Sequence, residues 1–219
     1  MHNKAINNWM EILWKWADEN EVEEDVLPRD KTDLINLTRL SLDSYELEIP
    51  KEIFNLKNLT ELSLGRNECI DSLEEINKLT NLTKLYLWGN KLTELPKEIG
   101  TLKKLTVLNL NSNQLTELPK EICDLTQLTE LYLGINKFKK IPKEIGKLTN
   151  LTELALWHNQ LTELPKEIGN LKNLTALSLD ENPLIKLPKE IFFLTNLTSI
   201  RLDNMMNILT KTFGEKNGL

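Results

Sequence analysis

The pattern LxxLxL recurs along this chain, beginning at Leu37, Leu59, Leu82, Leu105, Leu128, Leu151, Leu174 and Leu197. The first spacing is 22 residues and the six that follow are 23. A fixed period of this length is the mark of a repeat architecture, in which each unit is one supersecondary element stacked on its neighbours. The central unit reads LTxLxLxxNxLTELPKEIGxLxN. In one copy, Leu82, Leu85 and Leu87 alternate as the inward residues of a short strand. Asn90 then turns the chain, and its side chain is expected to bond backbone groups that the strand ladder leaves open. Asn67, Asn113, Asn136, Asn159 and Asn182 repeat the position and should stack as a ladder. Leu92 and Leu95 return to the core. Pro96 opens a helical turn, and Ile99 and Leu102 pack that turn back inside. A single unit cannot bury these side chains, whereas a stack can.

The segment LTKLYLWGNKLTELPKEIGTL (residues 82–102) resembles the leucine-rich-repeat proteins, in the 23-residue class found in many bacterial proteins and in intracellular Ras-scaffold proteins. The resemblance covers residues 37–204, as seven full units and one partial unit. It implies an α/β solenoid: a horseshoe with a parallel sheet on the concave face and short helices or 3₁₀ turns on the convex face. It also implies ligand binding, usually of proteins, on the concave sheet. Some copies depart from the pattern. The first is a residue short and has Tyr45 where Asn is expected. The second reads CIDSLEEI in place of the LP pair, puts Cys69 at a core position and is expected to bulge. The last has Met205 in place of Asn.

Residues 1–36 precede the repeats as a cap and linker, and 205–219 follow as a second cap or tail. Ile6, Trp9, Met10, Leu13, Trp16 and Ala17 share one face at helical spacing, so a helix should cover the first repeat. Trp14 falls off that face and is the ring expected to be exposed. The acidic run at 18–25 reads as a solvated linker. At the other end Met205, Met206, Ile208, Leu209 and Phe213 are the candidates to cover the final turn.

Composition narrows the function. The net charge is -6, and residues 1–36 carry nine acids against four bases, so the excess is concentrated there. An acidic chain is a poor match for nucleic acid, whose binding rests on basic contacts to phosphate. Two cysteines, Cys69 and Cys123, form neither a disulfide framework nor a metal-ligand spacing. The N-terminus lacks the apolar core and cleavage site of a secretory signal, and no stretch reaches the ~20 apolar residues of a membrane helix. The expectation is a cytoplasmic protein without membrane insertion, with signal-independent export as the alternative. Phosphate-binding glycine loops, zinc-helix motifs and nucleophile elbows are all missing. The two histidines, His2 and His158, have no cysteine column beside them. No catalytic residue, metal or cofactor is therefore assigned.

The outward strand positions form columns along the sheet. The column after the first Leu is always Thr (Thr38, Thr60, Thr83, Thr106, Thr129, Thr152, Thr175, Thr198), which suits a strand and carries little address information. The other columns vary, and aromatic and apolar residues gather in the middle units: Tyr86, Trp88, Val107, Tyr132, Ile135 and Trp157. Aromatic rings bury ~150–250 Å² each, and Trp and Tyr are enriched at binding hot spots. A protein or peptide site is thus expected there, with Asn109, Asn111 and His158 on its polar rim and Gly89 and Gly134 leaving room between rings. The competing readings are that the rings stack on one another and shield the sheet, that the face joins two copies as a homodimer, or that the protein is an exported effector or adhesin binding a host molecule or a self-associating structural solenoid. Because this face is slightly acidic, the expected partner is neutral or mildly basic.

Overall fold

The computed structural model describes residues 2–67, 69–70 and 73–203, of which 2–7 and 69 in backbone only. The expected roles of Ile6, Cys69, Met205, Met206, Ile208, Leu209 and Phe213 lie outside the described side chains. The chain opens with helix α1 (His2–Glu19) and a short helix α2 (Lys31–Ile35). Eight three-residue strands then form one open parallel sheet: β1 (Arg39–Ser41), β3 (Glu61–Ser63), β5 (Lys84–Tyr86), β6 (Val107–Asn109), β7 (Glu130–Tyr132), β8 (Glu153–Ala155), β9 (Ala176–Ser178) and β10 (Ser199–Arg201). Every neighbour is in register with the same repeat position, as Leu85 is with Leu62 and Leu108. The outer layer is a row of 3₁₀ turns, such as Lys97–Thr101 and Lys143–Lys147. Turns occupy more room than strands, so the stack is wider outside than inside and curves into a horseshoe.

Each local element has a chemical cause. Pro96 stands just before its turn at φ -70 and ψ 140, and its carbonyl accepts from Ile99 N–H at 3.2 Å. The proline thus caps the turn from outside it, one position earlier than expected. Leu82, Leu85, Leu87, Ile99 and Leu102 are fully buried, and Leu92 is half-buried. The second unit departs from the others by a small extra sheet: β2 (Glu48–Ile49) pairs in parallel with β4 (Cys69–Ile70).

Two ladders run the length of the stack. The Asn136 carboxamide donates to Leu110 O, Leu133 O and Gly134 O at 3.0, 3.2 and 3.2 Å, and accepts from Leu115 N–H at 3.0 Å. Asn67, Asn90, Asn113, Asn159 and Asn182 are buried in the same position and each also bonds the preceding unit. The threonine column forms the second ladder. Thr106 Oγ1 donates to Thr83 O at 3.0 Å, and the same carbonyl takes the N–H of Thr106 and of Val107. The hydroxyls from Thr60 to Thr198 repeat this, which gives the column a structural use.

Helix α1 closes the N-terminal end. Met10, Leu13 and Ala17 are buried, joined by Val22 and Leu27 from the linker. Trp14 is not a free ring, because it is half-buried and its Nε1–H donates to Pro28 O at 2.9 Å. The indole reaches the linker, which the helical spacing alone does not foresee; among the described side chains of this helix Ile12 is the exposed large apolar one, at 42%. The linker is also pinned: Arg29 bonds Asp18 Oδ1 at 2.9 Å and Val22 O at 2.7 Å, and Leu27 O as well. Asp30 then caps α2 through Thr32 and Asp33 N–H.

An orphaned buried donor or acceptor costs about 1–3 kcal/mol. Asn136→Ala leaves Leu115 N–H without its acceptor, so we expect a loss of about 3 kcal/mol in urea denaturation. Asn150→Ala removes an exposed amide that donates to Thr126 O at 2.8 Å, and should cost about 1 kcal/mol or less.

Candidate functional site

The aromatic rings of the sheet do not stack on one another. Each tryptophan lies instead on a glycine of the preceding unit. A Cβ on Gly65 would come within 2.2 Å of Trp88 Nε1, and one on Gly134 within 2.3 Å of Trp157 Nε1. The glycines that make room are therefore Gly65 and Gly134. Gly89 has another use: at φ 73 it takes the left-handed turn by which the chain leaves the sheet. Ser44, Arg66, Ser112, Ile135, His158 and Glu181 fill that same repeat position, all at positive φ. For Ile135, at φ 52, the conformation is costly, since a β-branched side chain clashes there.

The expected site divides in two. At the N-terminal end, Tyr86 and Trp88 help line an open hollow of about 550 Å³ with Arg39, Asp43, Glu61 and Ser63. This end is polar and internally paired. Asp43 accepts from Ser63 Oγ at 2.7 Å and from Gly65 N–H, and Arg39 Nε lies 3.7 Å from Glu61. The Arg66 guanidinium sits over the Trp88 ring, 5.2 Å from its centroid. Burial, then Glu61, Glu130 and Asp43, push the Tyr86 phenol above its ordinary value.

The second cluster lies on β7, β8 and the turns after them. Glu130 and Glu153 are register neighbours. Tyr132 joins them, its hydroxyl 2.8 Å from Glu130 Oε2 and 3.0 Å from Glu153 Oε2. One phenolic proton can serve only one of these at a time. Burial, followed by the two hydrogen bonds, drives the Tyr132 phenol far up, so it is a donor at any ordinary pH. Like charges this close repel by roughly 1 kcal/mol in a water-like medium and several-fold more where water is excluded. No Lys or Arg forms an ion pair with either carboxylate among the described residues. Further along the same strands Trp157 is half-exposed over Gly134, with the His158 ring edge-on at 6.4 Å. His158 Nδ1 is 2.6 Å from Glu181 Oε2.

The remaining expected residues take different places. Val107 is only 6% exposed, so it forms floor between Lys84 and Glu130 and offers no contact of its own. Asn109 and Asn111 are half-exposed; Asn109 Oδ1 accepts from Asn111 N–H and Asn111 Oδ1 from Gly134 N–H, at 3.0 and 2.7 Å. Glu130 and Glu153, which the sequence offers only as part of a slightly acidic face, are the two carboxylates at the Tyr132 hydroxyl. The sequence does carry a signal for the ring seats: Gly65 and Gly134 each precede a tryptophan by 23 residues.

Cys123 is buried, and burial, then Glu144, push its thiol up to about 12, so it stays protonated. Among the described residues no three His, Cys, Asp or Glu side chains converge to hold a metal ion. No helix of the described residues is long and apolar enough to cross a membrane.

Comparison with known proteins agrees with this geometry. A family model described as a leucine-rich repeat region matches residues 67–161, and a second, described as leucine rich repeat, matches 149–207. The chain belongs to the leucine-rich-repeat proteins. It is similar to a solved leucine-rich-repeat protein of Leptospira interrogans, at 42% identity and TM-score 0.73 over 78% of this chain and 45% of that one. An internalin of Listeria monocytogenes matches at 28% identity and TM-score 0.68, over 80% of this chain and 51% of that one. The leucine-rich-repeat ectodomain of a plant membrane receptor kinase from Arabidopsis thaliana, solved in complex with Casparian strip integrity factor 2, matches at 34% identity and TM-score 0.63, over 78% of this chain and 22% of that one. The chain thus spans about half or less of the length of these structures. No curated protein gives a significant match.

Two outcomes test this geometry. Gly134→Ala should expel the Trp157 ring from its seat, seen as a large shift of its indole N–H resonance while that of Trp88 holds. In a Cys69→Ser background, Cys123 should resist a disulfide reagent at mildly alkaline pH and react fully once the protein is unfolded.

Proposed function

We propose that this protein is a recognition module that binds another protein, or a peptide from one, on its concave face. The observation that carries the reading is the pair of tryptophans seated on glycine. Gly65 and Gly134 let two half-exposed rings approach closely over a sheet whose threonine hydroxyls are already engaged. Rings held in this way have little freedom to lose on binding and much area to bury, the properties of interface anchors.

Tyr132, Ile135 and Trp157 form the centre of the face, and Asn109, Asn111 and His158 its polar rim. Tyr86 and Trp88 extend it toward the hollow at the N-terminal end. Leucine-rich-repeat proteins are generally binding modules rather than enzymes. The plant receptor ectodomain was solved in complex with Casparian strip integrity factor 2, a precedent for a scaffold of this kind engaging another molecule.

The test is affinity capture from source lysate with mass spectrometry, comparing wild type with a folded variant carrying Tyr86→Ala, Trp88→Ala, Tyr132→Ala and Trp157→Ala. The expected outcome is a partner retained by wild type and lost by the variant. Equal retention by both would sink the concave-face reading. Concentration-dependent light scattering that disappears in the variant would make the face a homodimer interface instead.

A further inference from the structure

The two tryptophan seats are the same device built three units apart, and they differ in one charge. Gly65, Arg66 and Trp88 correspond in the repeat to Gly134, Ile135 and Trp157. In the first seat the chain supplies its own cation, the Arg66 guanidinium over the Trp88 ring. In the second, the residue at that position is Ile135, and no cation of the described residues lies over the ring. On this part of the face lie carboxylates that no Lys or Arg of the described residues pairs with: Glu130 and Glu153 at the starts of β7 and β8, and Asp180, which holds the repeat position of Trp157 in the next unit. Asp180 Oδ1 is moreover a buried oxygen without a hydrogen-bond partner.

We propose that the Trp157 seat takes an arginine side chain from an extended segment of the partner protein. The first seat shows the geometry: a guanidinium lying on an indole whose edge rests on glycine. Charge complementarity argues for the same group at the second. Arginine suits it better than lysine, because a planar guanidinium stacks on the ring while its fork of donors reaches neighbouring carboxylates. Tyr132 keeps Glu130 and Glu153 side by side, within reach of one such fork. The segment is extended because it must lie along a curved sheet face, with neighbouring strands ~4.8 Å apart. This inference rests on the concave face being a binding face, and it names the chemistry that face selects.

The experiment uses three capped tripeptides, Gly-Arg-Gly, Gly-Lys-Gly and Gly-Glu-Gly, titrated into the full chain while the indole N–H resonances are followed. Gly-Arg-Gly should move the Trp157 resonance saturably, more weakly as salt is raised, and leave Trp88 in place because Arg66 already covers it. Gly-Lys-Gly should bind less well and Gly-Glu-Gly should not bind. Glu130→Gln with Glu153→Gln should weaken Gly-Arg-Gly by about tenfold or more, the worth of a charge-assisted contact. Equal shifts from all three peptides, an unmoved Trp157 resonance, or full binding by the double variant would each overturn the proposal. A captured protein partner that is lost with the four alanines but held by the glutamine pair would leave the binding face standing and remove the arginine from it.

Discussion

A parallel strand three residues long leaves most of its unit's backbone groups without a ladder partner, and a solenoid has nowhere to send them but its own interior. In this chain the buried asparagine carboxamide answers that problem. It reaches back to a carbonyl of the preceding unit and down to carbonyls of its own, and it receives an N–H in return. Its geometry is fixed at both ends, so it sets where each unit sits on the last. The threonine hydroxyls do the same at the start of each strand, at lower burial. Between the two ladders the leucines have only to fill space, which they do wherever the ladders place them.

Constancy in those columns is what frees the others. With backbone and threonine groups satisfied internally, the remaining outward positions of the sheet can change residue without disturbing the stack. The chain uses that freedom unevenly. Near its N-terminal end the polar groups pair with one another: Asp43 accepts from Ser63 Oγ, and Arg39 lies within ion-pair range of Glu61. Toward β7 and β8 they do not balance: two glutamates share one phenol. A scaffold is shared by many proteins, whereas its address is written in a few exposed side chains.

The repeat made the fold legible, because periodicity reports directly on which side chains point inward. The asparagine ladder, the parallel sheet and the convex turns could all be placed on numbered residues before any coordinate was known. The inner detail of the face could not. Val107 and Tyr132 read alike as apolar residues pointing out of the sheet, yet Val107 is buried between its register neighbours Lys84 and Glu130 and Tyr132 stays half-exposed. Trp14 looked free at helical spacing and is held by the Pro28 carbonyl, a contact made by the fold of the linker. Sequence shows only that Gly89 and Gly65 are both small, whereas one takes a left-handed turn and the other admits the close approach of the Trp88 ring. In each case the missing information was a side chain's reach across to the next unit, which no single unit records.

The unit length also makes the face a ruler. Trp88 and Trp157 stand three strands apart, or ~14 Å at the usual strand separation, and nothing in the stack can slide to alter that. Their separation can change only by whole repeats, by loss or gain of 23 residues with both ladders re-formed across the join. Ligand length would then be selected in steps of one strand, so that gene-level expansion or contraction of the array re-tunes spacing digitally, while point changes at positions such as Ile135 re-tune chemistry and leave the spacing alone.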